Sequence, residues 1–323
     1  MTESILLPLL AIAVGIAGLV WSANKFVDGA VALAKDLGVS PLVIGLTVVS
    51  IGTSAPEILV AASAALQGSS ELAVGNALGS NLANIGLVLG STLLISPIIV
   101  RKQLLKQDIP MLVAITLIAG VVLFNNYLGR LESWGLLILF VVFLVFSVWF
   151  NKSHPQHDDP EIPEVDPQSL PRAAIRTLFG LTLLVLFSNL LVWGATQTAQ
   201  AFGVSDLVIG LTIVAVGTSL PELAASIASA LKGHAEIAIG NVIGSNVFNL
   251  LTVLPVAGII QASALPSETF SRDYLSMLGL TLLFVVVLIA KQASNPSAEQ
   301  IRIPRVAGLL FILPYAAYYL LLS

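Results

Sequence analysis

The 323-residue chain is 57% hydrophobic and only 10% charged, with a formal net charge of −4. A water-soluble domain carries about 25% charged residues, so this composition excludes a fully solvated surface and fits a chain that crosses the lipid bilayer repeatedly. The absence of cysteine excludes disulfides, a thiolate nucleophile and a thiolate metal site, and nothing in the charge pattern points to nucleic acid.

In chain order, apolar runs predict ten spans. They lie at 5–23 (continuing as helix toward Asp36), 41–66, 71–95, 108–125, 133–150, 173–199, 206–231, 236–260, 273–290 and 304–322. The first run resembles a signal peptide, but MTESILLPLL has no positive n-region and no convincing cleavage site follows it, so it is kept as a span. Residues 151–172, rich in Pro and acid, read as a solvated connector between a first five-helix unit (1–150) and a second (173–323). A regulatory cation site on His157, Asp158, Asp159 and Glu161 is the competing reading of that stretch.

With ten spans, eleven of the Lys and Arg residues fall on one face (Lys35, Arg101, Lys102, Lys106, Lys152, Arg172, Arg176, Lys232, Lys291, Arg302 and Arg305). Only Arg130 and Arg272 fall on the other, while Lys25 lies near the end of the first span. Positive charge stays on the cytoplasmic side, so the connector is expected inside the cell and both termini outside, in a cell (inner) membrane. An odd number of spans per unit makes the second unit enter from the opposite side. The expected fold is an all-α integral membrane protein of about ten transmembrane helices in two inverted five-helix repeats.

The duplication is visible in the residues themselves. GLTVVSIGTSAPE at 45–57 matches GLTIVAVGTSLPE at 210–222, and GNALGSNLAN at 75–84 matches GNVIGSNVFN at 240–249. All matches share one offset of 165 residues, and about half the positions between Gly38 and Gly90 are identical in the second copy. Each copy places a glutamate, Glu57 or Glu222, in the middle of an apolar span. A carboxylate there costs several kcal/mol, so it faces a partner or a functional cavity. No Lys or Arg occurs in the four repeat helices, which leaves a proton or a bound cation as the counter-charge. Pro56 and Pro221 lack the N–H that would bond the carbonyls of Gly52 and Gly217, so those carbonyls are freed at mid-span.

The neighbouring residues favour a cation. Thr53 and Ser54 precede Glu57 by four and three residues and share its helix face, as Thr218 and Ser219 do for Glu222. Asn76, Ser80 and Asn84, spaced i, i+4, i+8, form a polar stripe that Asn241, Ser245 and Asn249 repeat. Helix–helix hydrogen bonding is the plainer reading of any one of these, and Gly75/Gly79 and Gly240/Gly244 also read as close-packing faces. Pooled, the set offers only hard oxygen donors, which suit Ca²⁺ or Na⁺; the three histidines (154, 157, 234) lie in loops, away from any transition-metal role.

These duplicated motifs, G-T-S-x-P-E followed by G-N-x-x-G-S-N-x-x-N, resemble the α-repeats of the cation/calcium antiporter superfamily, and most nearly its prokaryotic sodium/calcium exchanger branch. The resemblance covers nearly the whole chain. It implies a ten-helix inverted-repeat fold with alternating access of three Na⁺ or one Ca²⁺ to one site; no cofactor is expected, and no obligate protein partner is inferred. By position it assigns ligand roles to Thr53, Ser54, Glu57, Ser80 and Asn84 and to Thr218, Ser219, Glu222, Ser245 and Asn249, with backbone carbonyls at Ser50 and Ala215 completing the sodium positions. Some members carry Asp where this chain has Asn249, the departure that bears on potassium dependence.

A proton/calcium antiporter is the main alternative, although its branch has an acidic residue in G-N-A-x-E where this chain has GNALG and GNVIG. A cation channel is another reading. An enzyme is disfavoured: G-T-S-A-P is not a nucleophile elbow, and there is no membrane histidine or Walker lysine. Glu71/Glu236 and Asp108/Asp273 also recur at the 165 offset, but each begins a predicted helix, where the macrodipole favours an acid. They are expected to cap helices or line the rim of the access path.

Overall fold

The structure, a computed structural model, describes residues 2–153, 170–204, 213 and 215–320. It is built almost wholly of helices: α1 (Thr2–Leu37), α2 (Pro41–Thr53), α3 (Ala55–Leu66), α4 (Ser70–Ile95), α5 (Asp108–Leu123) and α6 (Arg130–Ser153) precede the connector. After it come α7 (Leu170–Ala201), a helical turn Ala215–Thr218, α8 (Leu220–Leu231), α9 (Ala235–Ile260), α10 (Thr269–Ser294) and α11 (Ala307–Leu320). Among the described residues, seven helices are long and apolar enough to cross a membrane, or eight if the bent pair α2/α3 counts as one span; α8 and α11 are shorter apolar helices. Residues such as Leu131 and Val121 present exposed apolar side chains outward, the surface that lipid requires.

Several local signals explain where the helices start and stop. Ser40 caps α2 by accepting from the Val43 N–H at 3.4 Å, with Pro41 at the first helical position, where its missing N–H costs nothing. Gly68 and Gly233, 165 residues apart, both adopt the left-handed conformation just past a helix end. Helix α6 continues to Ser153 and α7 begins at Leu170, so both edges of the predicted connector are helical. His157, Asp158, Asp159 and Glu161, the residues of the competing cation-site reading, lie outside the described residues.

Two buried apolar clusters organise the molecule. The smaller joins α1 and α7 to parts of α2 and α8, and the larger holds most of the rest. Helices α1 and α7 pack antiparallel along most of their length on small residues. A methyl group at Gly15 would fall 2.8 Å from Leu191 Cβ, and one at Gly180 would fall 2.6 Å from the Phe26 backbone. Those two contacts are equivalent under the 165-residue offset.

Two short ladders that the apolar pattern does not reveal close the ends of the molecule. Strand β1 (Ile98–Arg101) pairs antiparallel with β4 (Gln300–Ile303), and β2 (Tyr127–Leu128) pairs with β3 (Ser263–Ala264). The connections α4–α5 and α10–α11 are thereby joined at one end, and α5–α6 and α9–α10 at the other.

Candidate functional site

Both glutamate helices are broken rather than merely kinked. Helix α2 ends at Thr53, Ser54 leaves helical geometry (φ −86°, ψ 6°), and α3 sets off at 42° to it. Ser219 repeats the break (φ −89°, ψ 3°) before α8. Pro56 and Pro221 therefore stand in the first turn of a new helix, where proline is tolerated, at the mid-span positions expected from the sequence. Glu57 and Glu222 fall in the same first turns, so the partial positive charge of each helix N-terminus faces its carboxylate.

The two copies meet at these breaks. Ser54 Oγ donates to Glu222 Oε1 at 2.9 Å, and Thr53 Oγ1 donates to Asn241 Oδ1 at 3.2 Å, so hydroxyls of the first copy serve polar groups of the second. Glu57 and Glu222 are electrostatic neighbours, each only 1% exposed. Neither has an ion-pair partner among the described residues, and Oε2 of each is buried without a hydrogen bond. Ser219 Oγ, Ser245 Oγ and both amide atoms of Asn84 and of Asn249 are likewise buried and unpartnered. Buried polar atoms nearly always find partners, so these orphans, on the two broken helices and on the polar stripes of α4 and α9, make up the candidate site.

Close helix approach produces this convergence. A methyl group at Gly45 would lie 2.7 Å from the Ile237 carbonyl, at Gly240 2.6 Å from the Leu42 carbonyl, and at Gly244 2.6 Å from Ser50 Oγ. The Gly240/Gly244 face thus seats α9 directly on α2, and the polar stripe comes with it.

The stripe divides in two. Asn76 Nδ2 donates to the Glu57 carbonyl at 3.2 Å, and Asn241 Nδ2 to the Glu222 carbonyl at 3.3 Å and Ser226 Oγ at 2.9 Å. These amides tie each stripe helix to its glutamate helix, leaving Asn84 and Asn249 as the free pair. Ser80 is buried one turn before Asn84 on α4. Thr218 and Ala215 lie in the turn before the second break. Ser50 Oγ is engaged with the Leu46 carbonyl at 2.8 Å, and the Ser50 carbonyl accepts from the Ser54 N–H at 3.0 Å and from Thr53 Oγ1 at 3.4 Å.

The sequence reading missed three features. Helix α4 opens into a π-turn at Asn84–Leu89 and α9 at Asn249–Val253, each starting on the free asparagine; such turns are common at functional sites. Asn81 Nδ2 donates across to the Asn246 carbonyl at 3.3 Å, linking equivalent positions of the two copies. Ser226 has no polar counterpart, since the equivalent residue is Ala61. Asn81 and Asn246 were findable, because both belong to the duplicated G-S-N.

The duplicated rim acids differ between copies. Glu236 is buried and 2.8 Å from Arg101 of β1, whereas Glu71 is exposed. Asp108 begins α5, as expected. Asp273 does not begin a helix: α10 starts earlier in a π-turn at Thr269, and Asp273 pairs with Arg272 at 2.6 Å and accepts from Tyr318 at 3.0 Å. A second ion cluster joins α1, α7 and the end of α8, where Asp28 meets Lys232 at 2.5 Å and Arg176 at 2.9 Å. His234 caps α9 beside it. Burial, then the Lys232 charge, holds the imidazole below its ordinary 6.5, with Asp28 opposing.

Comparison with known proteins agrees with this architecture. A family model described as "Sodium/calcium exchanger protein" matches residues 7–149 and 173–323. A putative antiporter, CaxA of Alkalimonas amylolytica, is 44% identical over 96% of this chain and 97% of its own. The sodium/calcium exchanger MaX1 of Methanosarcina acetivorans is 29% identical over 86% of this chain and 90% of its own. The solved structure of the sodium-calcium exchanger NCX_Mj, soaked with Na⁺ and Ca²⁺, superposes with a TM-score of 0.83 at 32% identity over 99% of each chain. This membrane-spanning chain belongs to the sodium/calcium exchanger protein family.

Proposed function

We propose that this protein is a secondary active antiporter that exchanges Na⁺ for Ca²⁺ by alternating access at one site built on Glu57 and Glu222. The observation that carries this reading is the junction of the two copies: two buried neighbouring carboxylates, unpaired at Oε2, with Ser54 of the first copy donating to Glu222 of the second. Two charges of −1 balance one Ca²⁺ or are shared among Na⁺ ions, so the two cargoes compete for the same oxygens. Thr53, Ser54, Ser80, Asn84, Thr218, Ser219, Ser245 and Asn249 are the proposed neutral donors, with backbone carbonyls at Ser50 and Ala215 for Na⁺. The names of the similar exchangers support Na⁺ as the coupling ion.

Ten spans in two inverted repeats are the proposed frame. The antiparallel packing of α1 on α7 supports inversion, because these helices are equivalents under the 165-residue offset. So do the ladders, which pair the connection before α5 with the one after its counterpart α10, and the connection after α5 with the one before α10. Repeats pointing the same way would put those connections at opposite ends. Both termini are then extracytoplasmic and the connector faces the cytoplasm of a cell (inner) membrane.

The test is radiolabelled Ca²⁺ uptake into proteoliposomes holding Na⁺ inside, set against liposomes with a proton gradient and no Na⁺. Uptake that requires the Na⁺ gradient is expected. Uptake driven by the proton gradient alone would replace this reading with a proton/calcium antiporter.

A further inference from the structure

Gly217 stands just before the break at Ser219, and Pro221, four residues on, has no N–H to offer its carbonyl at a depth where water cannot replace it. In the structure this carbonyl accepts a hydrogen bond from Ser188 Oγ of α7 at 3.2 Å, and both residues are buried. Gly217 lies between Ala215 and the Thr218–Ser219 pair, so the bond fixes the backbone that carries three of the proposed ion contacts.

Helix α7 walls both half-sites. A methyl group at Gly52 would fall 2.7 Å from Leu181 Cδ2, and one at Gly217 would collide with Val192. Leu181, Ser188 and Val192 are seven and four residues apart, a spacing that keeps them on one helix face. Ser188 therefore sits between the two contacts, with its hydroxyl aimed at the freed carbonyl. The equivalent residue in the first copy is Ala23 of α1, buried and without a hydroxyl, so it cannot hold the first half-site in this way.

We propose that Ser188 is a positioning residue for Na⁺. Its hydroxyl holds the Ala215–Ser219 backbone in the shape that presents the Ala215 carbonyl and the Thr218 hydroxyl to the ion. This rests on the Na⁺/Ca²⁺ site assigned above. Calcium depends chiefly on the carboxylates of Glu57 and Glu222, whose charges Ser188 does not touch. Loss of the hydroxyl therefore weakens Na⁺ more than Ca²⁺.

The experiment compares wild type, Ser188→Ala and Ser188→Thr in proteoliposomes, reading half-saturating Na⁺ and Ca²⁺ separately. In detergent, protection from heat by each ion gives a second readout that does not depend on transport. Ser188→Ala is expected to raise half-saturating Na⁺ about three- to tenfold, the size of one lost hydrogen bond. Half-saturating Ca²⁺ should move less than twofold, and the threonine hydroxyl should restore Na⁺. An unchanged Na⁺ response, an equal shift for both ions, or a threonine variant that behaves like alanine would overturn the proposal. Failure of the underlying site assignment looks different: wild type would show no Na⁺-driven uptake, or Glu57→Gln would retain it.

Discussion

Replacing either central glutamate by glutamine removes one negative charge while keeping the shape and one acceptor oxygen. In Glu222→Gln the amide oxygen can still accept from Ser54, and in Glu57→Gln the backbone carbonyl still accepts from Asn76, so both variants should fold. The loss at the ion is large. Unit charges about 4 Å apart interact by about 4 kcal/mol at an effective dielectric constant near 20, and a divalent ion doubles that. If the amide dipole and the lighter desolvation of a neutral side chain recover half, about 4 kcal/mol remains, or roughly a thousandfold in Ca²⁺ affinity. Sodium, with half the charge, loses about half as much free energy. Exchange at cellular Ca²⁺ should vanish in both variants while size-exclusion profiles and melting stay near wild type. The assay is Na⁺-driven Ca²⁺ uptake with a Ca²⁺ titration extended into the millimolar range. Near-wild-type uptake by either variant would refute a shared two-carboxylate site.

Single cysteines placed in this cysteine-free chain should be labelled by impermeant maleimide from outside near both termini and only from inside between 154 and 169; the opposite pattern would invert the assigned topology. Uptake should persist when K⁺ is replaced by choline on both sides at clamped potential, because Asn84 and Asn249 add no charge to the site; a strict K⁺ requirement would point to a further monovalent-cation site. His234 should make heat stability fall on acidification. Its folded pKa lies below the ordinary 6.5, so its contribution is complete above that pH and is lost as pH falls through the folded value. Melting of wild type and His234→Gln from pH 8 to pH 5 should show a shallower acid slope in the variant; identical slopes would count against that role.

The helical, membrane-crossing character of the chain and the buried position of the two glutamates are legible because each signal is local or repeated: apolar runs about 20 residues long, and a charge that recurs at 165 residues. What escaped depends on where one helix crosses another. Asn76 and Asn84 belong to the same stripe, and sequence spacing cannot tell them apart. The approach of α9 to α2, set by Gly45, Gly240 and Gly244, accompanies Asn241 reaching Thr53, while Asn249 keeps its amide unengaged. The breaks in the two glutamate helices are legible from the N–H that Pro56 and Pro221 lack, whereas the residue at which each helix turns, Ser54 or Ser219, and the change of direction are fixed by packing on both sides. Asp273 was read as the start of a helix because the π-turn that carries α10 back to Thr269 has no simple sequence period. The duplication itself misleads at Ser188 and Ala23, and again at Glu236 and Glu71: equal ancestry predicts equal roles, yet in each pair only the second-copy residue has the tertiary partner described above. On the exchange proposed above, half-sites held by unequal contacts would give Na⁺ and Ca²⁺ different backbones to prefer: the duplicated glutamates would provide the charge that both ions compete for, and the unduplicated contacts would tell the ions apart.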